Sequence, residues 1–278
     1  MSDHVRSRQA RELAERALVR LVDTYGTIPD LVLLGGLVPD LLCSRAEQRH
    51  VGTTDVDVQV DLEIQGGLSN ASHVERALVE AGFKPDAQCV WRWKDEAAPA
   101  MVVKVEFLAD LADVQDHRVV KFGGCKTLGA VNLRGTRFAA QDWELRMITA
   151  DFSGVDTSIK LRVATLPAYL LAKTHAACGR SLPKDWYDLA YVLIHNDEGG
   201  PVPAAQRVRD RFGEELVGST ATALKELRAN FADARAQGSL AYATTMCGLY
   251  PDLDNAVLAN DAVAAVTDFM AELHPNRF

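Results

Sequence analysis

The sequence predicts an α+β fold, a mixed-sheet lobe followed by a C-terminal α-helical lobe, and three stretches predict it. Leu31-Val32-Leu33-Leu34-Gly35-Gly36 is an apolar run that stops at paired glycines, the pattern of a buried strand ending in a tight turn. Residues 53–62 alternate polar and apolar side chains with a period of two. That period makes them a strand, with Asp55, Asp57, Gln59 and Asp61 on one face and Val56, Val58, Val60 and Leu62 on the other. After about Leu166 the spacing of apolar residues turns helical and stays so.

In chain order, residues 7–25 read as an amphipathic helix whose apolar stripe is Leu13, Ala17, Leu18, Val19, Leu21 and Val22. Strands expected near 31–34, 55–62, 89–94 and 101–108 are interrupted by helices near 37–44 and 72–81. Strands near 145–150 and 158–163 extend or flank that sheet. The second lobe is expected to hold helices at 166–178, 184–195, 203–214, 219–234, 239–248 and 257–273, and the Gly- and Pro-rich run from Asn196 to Pro203 is its clearest break. The expected domains are residues 1–165, an N-terminal helix with the sheet, and residues 166–278, all helical.

The acids of the alternating strand carry the chemistry. Two carboxylates at i and i+2 sit roughly 6.5 to 7 Å apart at Cα, close enough for their oxygens to converge on a divalent cation. The exposed face of an antiparallel sheet would show the same alternation. A further acid separates the two readings. Residues 101–108 form another strand, in which Lys104 and Glu106 face away from Val103, Val105 and Phe107. Three acids from two neighbouring strands, Asp55, Asp57 and Glu106, can hold a pair of divalent ions. Asp110 would replace Glu106 as the third acid if the strand register differed, because a shift of one residue flips the faces and a shift of two keeps them. An EF-hand loop fits less well still, because Val60 stands where the loop needs glycine.

Gly35-Gly36, the run Thr53-Thr54-Asp55-Val56-Asp57 and the acidic strand at Glu106 together resemble the nucleotidyltransferase fold of DNA polymerase β type. The later segments Leu166–Ala177 and Lys184-Asp185-Trp186-Tyr187-Asp188-Leu189 are similar to the AbiEii-like toxins, which include the MenT nucleotidyltransferases and are encoded beside antitoxins. The resemblance covers roughly residues 30–195. It implies that Thr53, Asp55 and Asp57 fill the hydroxyl and Asp-hydrophobic-Asp positions of the catalytic strand, although the family usually has Ser at the first. It implies a catalytic Lys173, with Asp188 or Asp185 of a following acidic helix beside it. Nucleotide would bind at Gly35, Gly36, Thr53, Thr54, Lys173 and Asp185, and the metal, Mg²⁺ with Mn²⁺ as an alternative, at Asp55, Asp57 and Glu106. A nucleoside triphosphate would be the donor, a tRNA 3′ end the acceptor and an antitoxin the partner.

On a helix, Lys173 shares a face with Leu166, Tyr169, Leu170 and Ala177, so its ammonium points inward and needs an anion, unless it snorkels to solvent. Asp185 suits the positive end of a helix, whereas Asp188, one turn further on, is hard to explain as surface and is a candidate to orient Lys173. His175 reads as hydrogen-bonded structure. Arg45, Arg49 and His50 fall in the long gap between Gly36 and Asp55, a candidate substrate-facing loop.

With 278 residues, 48% hydrophobic and 24% charged, the chain has the composition of an ordinary globular protein. No stretch nears the roughly 18 apolar residues of a membrane span, and the N-terminus has no signal-like apolar core, so a cytoplasmic location without membrane partners is expected. Five cysteines without a Cys-x-x-Cys pair suggest neither a disulfide framework nor a zinc ribbon. The net charge of −8 argues against sequence-blind nucleic-acid binding but leaves room for a local basic surface. Arg118, Lys121, Lys126, Arg134 and Arg137 are the candidates for an RNA acceptor surface. The five arginines between Arg6 and Arg20 are interleaved with Glu12 and Glu15 and read as a solvated face. Trp91, Trp93, Trp143 and Trp186 read as core.

No nucleophile elbow and no P-loop is present. Two other classes fit the same residues. A transferase that modifies a small molecule such as an antibiotic would share every catalytic residue, and a non-catalytic nucleotide-binding module would share the fold alone.

Overall fold

A computed structural model describes residues 7–53, 55–60, 67–96, 101–152 and 154–273. Thr54, Asp61 and Leu62, expected on the acidic strand, lie outside the described residues, as do Arg6 and Ser153. The elements in chain order are α1 (Arg8–Tyr25), β1 (Leu31–Leu34), α2 (Pro39–Leu42), β2 (Asp55–Val60), α3 (Gly67–Glu80), β3 (Lys84–Pro85), β4 (Arg92–Asp95), β5 (Val103–Ala109), β6 (Val119–Lys121), β7 (Gly129–Asn132), α4 (Arg137–Gln141), β8 (Trp143–Phe152), β9 (Val155–Ala164), α5 (Leu166–Arg180), α6 (Pro183–His195), α7 (Pro201–Phe212), α8 (Gly218–Asn230), α9 (Gln237–Leu249) and α10 (Asn255–Leu273). They divide into two compact units, residues 1–38 with 52–164 and residues 39–51 with 165–278.

The first unit is an open mixed sheet with helices. Among the described residues it has nine strands, seven of them in the order β3-β4-β5-β2-β1-β9-β8, with β7 beside β5 and β6 beside β7. β1 runs antiparallel to β2 and parallel to β9, while β2 runs parallel to β5. The central strands are apolar where they are covered: Leu31 to Leu34 are all buried, as are Val56, Val58, Val103, Val105 and Phe107. Ser7 starts α1 by accepting a hydrogen bond from the Ala10 N–H at 3.1 Å, and Gly26 ends it in the left-handed region at φ 82°. Arg8 and Arg16 of α1 are exposed, as a solvated face requires, whereas Arg11 and Arg20 hold the sheet unit together. Arg11 is buried and donates to the Leu37 carbonyl, and Arg20 pairs with Asp95 at 2.6 Å.

Several boundaries differ from expectation for local reasons. The strand expected at 89–94 begins only at Arg92, whose N–H donates to the Cys89 carbonyl and closes a turn first. Where a helix was expected at 37–44 there is a 3-10 turn at Gly35–Leu37 and then the single turn of α2. β6, β7 and α4 are too short to impose a periodicity on the sequence.

The second unit is helical. Pro39–Val51, expected in the sheet domain, belongs here because its polar groups are spent on these helices. Ser44 and Arg45 donate backbone N–H groups to Asp197, the Arg49 N–H donates to the Tyr250 hydroxyl at 2.6 Å, and the Val51 N–H to the Tyr187 hydroxyl. The core is aromatic: Trp186, Tyr187, Tyr191, Phe212, Phe231, Tyr242 and Phe269 are all essentially inaccessible. Between α6 and α7 the Asn196 side chain closes the turn, its Nδ2 donating to the Val192 and Gly200 carbonyls and its Oδ1 accepting from the Gly200 N–H. No described helix is long and apolar enough to cross a membrane.

Candidate active site

The acidic face of the first unit is built by register. β2 and β5 pair in parallel with Asp57 opposite Glu106 and Asp55 opposite Lys104, so alternation puts all four side chains on one face. β4 continues both rows, with Arg92 opposite Glu106 and Lys94 opposite Lys104. The opposite side of β5, Val103, Val105 and Phe107, is packed into the core, which leaves the polar row half-buried rather than solvated.

Gly35 and Gly36 abut this face where β1 stops. Gly35 has φ 74°, and a Cβ built on it would overlap the Asp57 carboxylate. A Cβ on Gly36 would lie 2.8 Å from the Cβ of Thr53. The two glycines are therefore required by the close approach of Asp57 and Thr53, a reason the sequence did not disclose. Thr53 is buried, and its hydroxyl oxygen accepts from the Asp55 N–H at 3.0 Å, which fixes the start of β2.

The acids are matched by cations. Glu106 Oε1 accepts from Arg92 Nε at 2.6 Å, and Lys104 Nζ stands 3.7 Å from Asp55 Oδ1. Burial disfavours the Arg92 guanidinium charge, but Glu106 beside it more than compensates and raises its pKa above the usual arginine value. Among the described residues no group of three or more His, Cys, Asp or Glu side chains converges as a metal site, in keeping with a Glu106 carboxylate turned to Arg92. The donors themselves, hard carboxylate oxygens at i, i+2 and directly across a parallel strand, fit the chemistry of Mg²⁺. Asp110 is committed elsewhere. Its carboxylate is 3% exposed and accepts from the Gly135 N–H at 2.7 Å and from Arg134, so it anchors a loop.

The second unit holds the other expected residues in a buried ion-pair cluster. Lys173 of α5 donates to Asp188 Oδ2 at 2.9 Å and to Asp185 Oδ1 at 3.2 Å, both acids lying on one face of α6. Arg180 donates to the same Asp185 oxygen at 3.0 Å. Lys173, Asp185 and Asp188 are 7%, 0% and 1% exposed, so the ammonium does not snorkel. Burial opposes its charge, yet Asp188 and Asp185 outweigh that cost and raise the Lys173 pKa. Asp185 is thus more than a helix-end acid.

His50 completes the cluster. Its Nε2 lies 2.9 Å from Asp188 Oδ1, and the ring stacks on Tyr187 and meets Tyr191 edge-on. With 0% exposure it is not part of a substrate-facing loop. His175 is hydrogen-bonded to Thr220.

The basic stretch is only partly a surface. Arg134 is used up on Asp110 and on the carbonyls of Leu111, Ala112 and Val114, whereas Arg118, Lys121, Lys126 and Arg137 remain exposed. Of the tryptophans, Trp93 and Trp186 are core, and Trp143 is 39% exposed with the Arg162 guanidinium 4.5 Å above its ring. Compared with known proteins, the chain matches no family model, no curated protein and no solved structure.

Proposed function

We propose that this chain is a metal-dependent nucleotidyltransferase of polymerase-β type that moves a nucleoside monophosphate from a nucleoside triphosphate to an acceptor hydroxyl. The observation that carries the reading is the parallel register of β2 and β5, which sets Asp55, Asp57 and Glu106 on one half-buried face against the backbone of Gly35. Three acids collected on a partly desolvated face repel one another unless cations join them, and that cost is accepted where a charged ligand is bound. Mg²⁺ or Mn²⁺ held by Asp55, Asp57 and Glu106 would neutralise the triphosphate and lower the pKa of the attacking hydroxyl.

In this reading Glu106 accepts the proton of the acceptor hydroxyl at a carboxylate oxygen. The freed oxygen forms its bond to the α-phosphorus, the bond from that phosphorus to the bridging oxygen breaks, and pyrophosphate leaves. Gly35 and Thr53 hold Asp57 and the start of β2 in place, and Arg92 and Lys104 keep the acid row balanced when it is unliganded. The resemblance gives Lys173 a role as a point charge toward the triphosphate. Its pairs with Asp185 and Asp188 support the part of that assignment in which the acids orient the lysine.

The resemblance to the AbiEii-like toxins supports a tRNA 3′ end as acceptor and an antitoxin as partner. Incubating the protein with each α-labelled nucleoside triphosphate, Mg²⁺ and total tRNA, and resolving RNA, protein and small molecules, tests both levels. Label on RNA that disappears in Asp57→Ala is the expected result. Label only on a small molecule would move the acceptor class, and no label on any acceptor would leave a nucleotide-binding module.

A further inference from the structure

β8 is where the sheet of the first unit ends. It stands last in the strand order and, among the described residues, is paired on one side only, with β9. One of its faces is covered: Ile148 and Ala150 are buried, and α1 packs against the strand. On the other face Trp143, Leu145 and Met147 are 39%, 51% and 54% exposed. Edge strands are usually blunted by proline, shortness or outward charge because their free backbone groups pair with any strand that meets them. This one spans Trp143–Phe152, contains no proline and shows an apolar side chain at three alternate positions.

We propose that a second copy of this chain pairs with β8, antiparallel about a two-fold axis at Leu145, so that two sheets join edge to edge. Charge selects both the occupant and the register. Glu144 and Arg146 flank Leu145 on the opposite face and already pair at 2.6 Å within the strand. With Leu145 opposite its own copy, Glu144 of each chain falls opposite Arg146 of the other, and Trp143 falls opposite Met147. Shifting the axis by one residue sets Glu144 against Glu144 or Arg146 against Arg146, like charges directly opposed. Moving it to Met147 sets Arg146 and Glu144 against the covered Ile148 and Ala150. Of these axes only the one at Leu145 sets Glu144 against Arg146 on both sides and keeps the row of Trp143, Leu145 and Met147 continuous, which is the self-complementarity that a two-fold contact requires. The contact is one strand wide, below the roughly 800 Å² per partner of a stable interface, so its dissociation constant is expected to be on the order of micromolar.

Sedimentation velocity of the full chain, from below to well above that concentration, tests the proposal. The sedimentation coefficient of the wild type should climb from monomer toward dimer. Glu144→Arg or Arg146→Glu alone opposes like charges on both sides of the axis and should weaken association by about tenfold, and the double swap should restore it. Leu145→Lys, which sets two ammonium groups at the axis, should leave a monomer. These side chains face solvent, so circular dichroism should show an unchanged fold in each variant. A wild type that stays monomeric at every concentration overturns the proposal and leaves the edge to a strand of another protein. Association indifferent to the single swaps also overturns it, and failure of the double swap to restore it overturns the register.

Discussion

Gly35 lies so close to Asp57 that the carboxylate occupies the space where a Cβ of residue 35 would stand. The end of β1 and the acid of β2 are therefore one construction: the left-handed backbone at φ 74° lets the chain leave β1 sharply, and the missing side chain lets Asp57 turn over it.

Gly35→Ala should cost about 1 to 2 kcal/mol for the left-handed backbone and lose transfer activity as Asp57 is displaced. Gly26→Ala is the control. Gly26 has φ 82° with nothing within 4 Å of the added Cβ, so it should lose stability alone. Chemical denaturation and label transfer on both variants separate backbone strain from damage to the site.

Glu106→Gln should lower the transfer rate by about 100-fold or more with little effect on folding, since it removes the proton acceptor and a metal ligand but keeps the shape. Arg92 retains Asp86, 3.9 Å away, as a counter-charge. Rates at saturating Mg²⁺ and a thermal melt check both halves of this expectation.

Lys173→Met should destabilise the protein by about 3 to 5 kcal/mol, because it leaves Asp185 and Asp188 buried with reduced compensation. The Lys173 pKa is raised on folding, so the pair's contribution is complete below the ordinary lysine value of 10.5 and is lost as pH rises through the higher folded value. Urea midpoints of the wild type should fall on the alkaline side in a way that those of the variant do not.

His195 should act at the other end of the scale. Burial pushes its pKa from 6.5 down to about 4, so it folds neutral and donates or accepts toward the Tyr242 hydroxyl at 3.0 Å. Its contribution is complete above pH 6.5 and is lost as pH falls through about 4, a swing of about 3 kcal/mol. His195→Phe should flatten the stability profile across that window, read by denaturant midpoints at each pH.

What could be read from the sequence was whatever repeats along one strand or one helix. The faces of β2 and β5 were legible because a period of two leaves no other assignment for Asp55, Asp57, Lys104 and Glu106. The inward direction of Lys173 was legible from the apolar residues on its own helical face. Register was not: that Asp57 stands opposite Glu106 depends on a parallel contact between strands far apart in sequence, and local spacing carries no record of it. His50 escaped for the same reason. Its partner Asp188 lies on α6, and a single histidine in a loop, next to Arg49, has no pattern to betray a buried role. The short strands β6 and β7 and the placement of residues 39–51 with the helices rest on tertiary contacts alone.

Whether the acids of β2 carry nucleotide transfer is decided by the rate at which α-labelled nucleotide reaches acceptor with the wild type and with Asp57→Asn, circular dichroism establishing that both are folded. Asp57→Asn preserves the contact with Gly35 but removes the charge, so the wild type should transfer nucleotide in a metal-dependent way and the variant should lose at least about 100-fold. Equal transfer by the two proteins, or transfer that persists after the divalent metal is chelated, would contradict that expectation.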